Sequence, residues 1–278
     1  MIIDFHVHPW TREFASRNNY FASILRLNGL TVKDLPPDTE ELAHRISSSG
    51  VQKAVFLAQY ADHRLNPGLK NFFFTSRDVA KIADRHSFVI PFGSINPNDG
   101  LDALVNLKKD IAELGLKGVC IFTSATSVYP SNKIMYLLYD LCIENSIPVI
   151  FHPAALDILH CSIKYDDPVH LDEIAKDFPE LKIIIGHAGW PWTETAVAVA
   201  MRNDNVYIDI QPLEKDKQHA ALVHFIKRTH GKRVLFGSNY PLLADYKPKH
   251  IESYFKKEFG SAVAEDILHN NAEELLSK

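Results

Sequence analysis

Four histidines stand where short apolar runs end. The chain opens MIIDFHVHPW, with His6 and His8 one residue apart. VIFHP carries His152 ahead of a proline, and IIIGHAG carries His187 after three isoleucines. A neutral imidazole offers one lone pair to a cation. Side chains alternate along a strand, so Asp4, His6 and His8 are expected on one face, from which both imidazoles reach a single ion. One His-x-His pair is a weak signal in a chain with 14 histidines among 278 residues. Four at the ends of three separate apolar runs is a much more specific one. The chemistry on offer is a divalent cation held by His6, His8 and His152, with His187 as a catalytic general base near neutral pH.

Such convergence needs elements that bring distant strand ends to one rim. Eight short, nearly continuous apolar runs qualify as parallel strands covered on both faces: 2–8, 53–59, 88–94, 116–122, 147–152, 181–187, 206–210 and 233–238. Amphipathic stretches with helical spacing lie between them, at 38–50, 77–86, 100–115, 131–146, 167–179, 192–203 and 217–231. A further helix is expected at 250–259, and a last one closes the chain. This alternation is that of an α/β protein, a single (β/α)8 TIM barrel spanning 1–278, whose active sites are built at the carboxyl ends of the strands. A doubly wound open sheet would want a glycine-rich turn after the first strand, and HVHPW is not one. The long connection 9–37 is expected to form a lid-like insertion after strand one. Trp10, Tyr60, Trp190 and Tyr240 follow strands one, two, six and eight, and are expected to wall the substrate site. His160 and His170 follow strand five and are further candidates for touching substrate. Arg12, Arg17 and Arg26 offer cations for a substrate carboxylate.

Composition narrows the function classes. A net charge of −4 with no basic cluster argues against nucleic acid and against an anionic membrane surface. No run is long and apolar enough to span a bilayer, and Asp4, His6 and His8 interrupt the first apolar stretch, which therefore does not read as a signal peptide. Three cysteines (Cys120, Cys142, Cys161) make no disulfide framework, so a cytoplasmic location is expected. No Gly-x-Ser-x-Gly occurs, and Cys120 has no partner nearby in sequence, which discounts a serine or cysteine hydrolase.

Taken in order, IDFHVHP, VIFHPA, IIIGHAGWPW, VYIDI and FGSNYP resemble the amidohydrolase superfamily, and within it the amidohydrolase-related branch that includes aminocarboxymuconate-semialdehyde decarboxylase, γ-resorcylate decarboxylase and several lactonases. The resemblance runs nearly end to end and is weakest over 9–37 and 60–76. It implies that His6, His8 and His152 ligate one divalent metal ion, zinc or else manganese, and that His187 orients or deprotonates bound water. Lys117 lies near the position of a carbamylated lysine in binuclear relatives. It precedes its apolar run, so it is expected at the opposite face, and the site is expected to be mononuclear.

The departure from the pattern is Asn239, where most relatives carry aspartate. Asparagine donates through its amide or accepts weakly, but it takes no proton. Asn239 is therefore expected to donate to a developing oxyanion or to position water. Asp209 and Asp245 are the carboxylates that would substitute for the missing one. The resulting expectation is a metal-dependent hydrolase of a small carboxylic ester, lactone or amide. The alternatives are a metal-dependent decarboxylase of an unsaturated or aromatic acid and a non-catalytic metal-binding barrel. The partner in each case is a small molecule, and a homodimer is expected by analogy.

Overall fold

Apolar runs bounded by glycine, proline and capped helices form the strands of a ring. The structure, a computed structural model, describes residues 1–17, 20–153, 161–210, 220–242 and 247–277. The strands are β1 (Ile3–Val7), β2 (Lys53–Leu57), β3 (Val89–Ser94), β4 (Gly118–Ile121), β5 (Val149–Phe151), β6 (Ile183–Ile185), β7 (Val206–Ile210) and β8 (Val234–Phe236). They lie parallel in sequence order. β8 meets β1 through a bridge between Val7 and Tyr240, with the His8 N–H donating to the Tyr240 carbonyl and the Asn239 N–H to the His6 carbonyl, each at 2.9 Å. Helices follow the strands, so the molecule is the (β/α)8 barrel expected. Among the described residues no helix is long and apolar enough to cross a membrane.

Several strands are shorter than their apolar runs. β5 stops at Phe151, one residue before His152, because Pro153 has no N–H to continue the ladder. β6 stops at Ile185, and His187 lies two residues beyond, in a turn where its φ is +52°. The closing stretch, expected as one helix, is divided into Ser261–Glu265, a π turn at Asp266–Asn270 and Asn271–Leu276. Beyond that turn, buried Asn271 donates to the Gly231 and Val234 carbonyls, both at 2.8 Å.

Register identifies the interior face. Leu57 pairs with Phe92, Phe92 with Gly118, Ser94 with Cys120, and Cys120 with Ile150. By alternation Gln59, two past Leu57, and His152, two past Ile150, share that face. β1 departs from strict alternation. Asp4 pairs with Ala54 but Val7 with Phe56, so a bulge adds one residue between them. Phe5, His6 and His8 therefore face inward, and the Phe5 ring meets Phe92 edge-on at 5.5 Å. This corrects the expectation that Asp4 shares a face with the two histidines. Asp4 lies on the other face and accepts from the backbone N–H of Ser238 at 2.9 Å and of His6 at 3.2 Å, which ties β1 to β8.

The connection after β1 carries two short helices, Arg12–Ala15 and Phe21–Leu27, and a 3-10 turn at Val32–Asp34. Its Trp10, Phe14 and Phe21 pack with Phe72 from the loop after β2, all four at 1% exposure or less. Burial of each such ring contributes about 1.5–3 kcal/mol, enough to anchor the segment.

Candidate metal centre

His6, His8, His152 and His187 meet inside the carboxyl end of the barrel, all buried, with one ligand atom from each lying within 4.8 Å of the others. The Nε2 atoms form a chain: His6 to His8 at 3.2 Å, His8 to His152 at 3.1 Å, and His152 to His187 at 2.9 Å. Each ring is held differently. His6 donates from Nδ1 to Oδ2 of Asp209 on β7, which leaves its Nε2 lone pair facing the cluster. Trp10 lies flat on His8, with centroids 4.0 Å apart and planes at 7°. Phe122 stacks on His152 at 4.1 Å and 20°. Gly237 makes room for the Asp209–His6 contact, because a Cβ there would stand 2.2 Å from Asp209 Oδ1 and 2.5 Å from His6 Cβ.

The electrostatics disfavour protonation of two of the rings. Burial pushes the His8 and His152 imidazoles well below their usual range, and the neighbouring histidines push them further in the same direction. The Asn239 amide beside His8 opposes that shift weakly. Converging lone pairs repel unless something positive lies between them. Neutral nitrogens favour a metal cation over a proton there, since burial already disfavours imidazolium. Zinc–nitrogen bonds of about 2.0–2.1 Å put tetrahedral ligands about 3.3 Å apart, close to the spacings observed. The residues present therefore fit a divalent cation.

A family model described as Amidohydrolase matches residues 3–278. The chain belongs to the amidohydrolase family. No curated protein matches the sequence. Among solved structures, an uncharacterised TIM-barrel protein from Bordetella bronchiseptica is 24% identical, with a TM-score of 0.80 over 99% of this chain and 98% of that one. The 5-carboxyvanillate decarboxylase of Sphingomonas paucimobilis is 15% identical, with a TM-score of 0.68 over 99% and 98%. A dihydroxybenzoic acid decarboxylase from Polaromonas sp. JS666, solved with manganese and an inhibitor, is 15% identical, with a TM-score of 0.69 over 99% and 96%. At these identities the likeness establishes the fold.

Within this amidohydrolase the other sequence-derived candidates separate. Asn239 is buried in the turn after β8 with φ +55°, a left-handed conformation that asparagine tolerates. Trp10 backs His8, as described. Tyr60 is one past inward-facing Gln59 and so turns outward. It stacks on Phe73 and lines a groove of about 450 Å³ with Thr75, Arg77 and Asp110, and that groove shares no residue with the histidine cluster. Tyr240 contributes its backbone to β1, and its side chain hydrogen-bonds Arg45 on the helix Thr39–Ser48, so it packs in the helix layer. Trp190 is 39% exposed, and its backbone N–H donates to the His187 carbonyl at 3.0 Å.

None of the arginines proposed for a carboxylate is seen at the cluster. Arg12 donates to the Leu35 and Lys33 carbonyls, Arg17 pairs with Glu13, and Arg26 donates to Ser23. His170 packs on Tyr129, while His160 and Asp245 lie outside the described residues. Lys117 is exposed just before β4, at the end away from the histidines. Burial and Asp209 hold the Cys120 thiol well above its usual range, so it is no thiolate nucleophile.

Sequence reasoning gave Asp209 no role as the orienting partner of His6. Its signal was a lone acid within the apolar run VYIDI. Phe122 gave none, since an aromatic closing the apolar run LKGVCIF reads as core.

Proposed function

We propose that the chain is a metal-dependent enzyme acting on a small carboxylate-bearing substrate by decarboxylation, with hydrolysis of a small ester, lactone or amide as the second reading. The observation that carries this is the donor set: four buried imidazoles, with no carboxylate among the clustered residues. Neutral ligands leave the charge of a dication only partly offset, by the Asp209 carboxylate behind His6, and an anionic substrate group is its natural counterpart. A cation held by His6, His8 and His152 would supply Lewis acidity and a fixed positive charge. Imidazole nitrogens suit zinc, and manganese is the alternative, as in the Polaromonas structure.

The choice of reaction rests on Asn239 and His187. Hydrolysis requires a group that takes a proton from attacking water, and the Asn239 amide accepts none. Decarboxylation asks instead for a hold on a carboxylate and one proton delivered to the carbon left behind. His187, buried at the edge of the cluster, supplies that proton, and Asn239 orients the substrate by donating from Nδ2. The decarboxylases among the structural neighbours weigh the same way. The hydrolytic reading is favoured by His187 itself, which would serve as base for water in that role.

The test is direct. Protein loaded with zinc or manganese is assayed for carbon dioxide release from 2,6-dihydroxybenzoate and 5-carboxyvanillate, and for turnover of a panel of lactones and esters. Decarboxylation supports the first reading, and lactone or ester turnover alone supports the second. Stoichiometric metal with no turnover supports a non-catalytic binding barrel.

A further inference from the structure

We infer that Gln59 is a substrate-recognition residue whose Nε2 donates a hydrogen bond to an acceptor oxygen borne by the substrate beside the carboxylate held at the histidine cluster. The inference rests on the reading of the site given above.

Gln59 is 1% exposed and follows β2 on the inward face, as the register from Leu57 requires. Its Oε1 accepts from the Trp10 Nε1–H at 2.6 Å. An indole N–H only donates, so this contact fixes which end of the amide faces Trp10 and leaves the NH2 on the other side. That Nε2 is buried and has no hydrogen-bond partner. Buried donors are satisfied in the great majority of cases, so an unmet one in a barrel mouth marks a place for a ligand acceptor. Trp10 in turn lies flat on His8, which puts the Gln59 amide at the border of the cluster.

A second observation points the same way. Ser94 ends β3 on the same face as Gln59, and its Oγ is also buried without a partner, as is Ser124 Oγ in the turn after β4. The histidines come from β1 and the ends of β5 and β6, while β2, β3 and the turn after β4 bring neutral polar groups with unused capacity. An amide NH2 selects an acceptor: a carbonyl, an ionised hydroxyl or a second carboxylate, and not an ammonium. The substrate class is therefore an acid with a second oxygen function near the first.

The experiment uses the zinc-loaded full chain with two probes, phthalate and benzoate, which differ by one acceptor group. Affinities are measured by calorimetry for wild type, Gln59→Met and Gln59→Glu, alongside zinc content and melting temperature. Gln59→Glu keeps an oxygen for the Trp10 N–H and removes the donor, while Gln59→Met removes both. The expected result is that wild type prefers phthalate and that both variants lose this preference by about tenfold, as for a hydrogen bond to a charged acceptor, while benzoate affinity in Gln59→Met and zinc content in both variants stay unchanged. A wild type with no preference overturns the inference, as does a preference that survives Gln59→Met. If Gln59→Glu keeps the preference, or either variant loses zinc, Gln59 acts by positioning Trp10 and His8, and the inference is wrong. A wild type that binds zinc but neither acid removes the functional reading and this inference together.

Discussion

The chemistry of this site depends on how four imidazoles are aimed at one point. Asp209 does this for His6, and replacing it with alanine leaves a buried Nδ1–H without an acceptor. Zinc affinity in Asp209→Ala should fall about 10–100-fold, measured by chelator competition. Asn239→Asp should act in the opposite direction. Aspartate also tolerates the left-handed turn at φ +55°, and it adds a negative charge near the cation, so zinc should bind about tenfold more tightly or better. Unchanged affinity in this variant would place residue 239 too far from the ion to matter.

Protonation gives a third prediction at this scale. His8 and His152 have folded-state values pushed below 6.5 by burial first and by neighbouring histidines second. As pH falls through about 6.5 the unfolded chain takes up protons that the folded one refuses, so the metal-free protein should lose stability there. The loss should level off once the folded histidines protonate. Urea midpoints at pH 7.5, 6 and 5 should fall in order, and less steeply for His152→Asn.

At the scale of elements, two places set the site. One is the bulge in β1, which turns Phe5 and His6 inward together. The other is Gly237, just past β8 between β7 and β1, where the Asp209 and His6 side chains come close to its backbone. Gly237→Ala should cost about 1–3 kcal/mol in chemical denaturation, because the new methyl meets both Asp209 and His6. Zinc affinity should drop with it. The strands themselves were legible because each apolar run is bounded by proline, glycine or a capped helix, and because near-continuous apolarity is what burial on two faces demands. Their ends were not. His152 and His187 stand one and two residues beyond their strands, since proline and a left-handed turn end the ladder earlier than hydrophobicity does. The face of Asp4 was misread for a related reason, as the bulge leaves no mark in composition.

For the whole molecule, binding and folding are linked, because the cluster exists only when β1, β5, β6 and β7 are assembled. Zinc at about 100 times its dissociation constant stabilises by about 2.7 kcal/mol, which should raise the melting temperature by about 5 °C. EDTA should reverse the shift. A melting temperature indifferent to zinc, manganese and chelator would remove the metal from the account. The C-terminal elements also belong to this assembly, since Glu273 pairs with Lys53 of β2 and Asn271 caps carbonyls around β8.

The amino-acid sequence by itself determined the alternation of strands and helices and the rim on which His6, His8, His152 and His187 stand. Those features are local, written in apolar periodicity and residue type. Tertiary structure alone decided that Asp209 serves His6, that Trp10 and Phe122 brace two rings, that Tyr60 and Tyr240 face away, and that the amide of Gln59 is left with a free donor. These are relations between residues far apart in the chain, and they depend on register, on one bulge and on which groups find partners once the barrel closes.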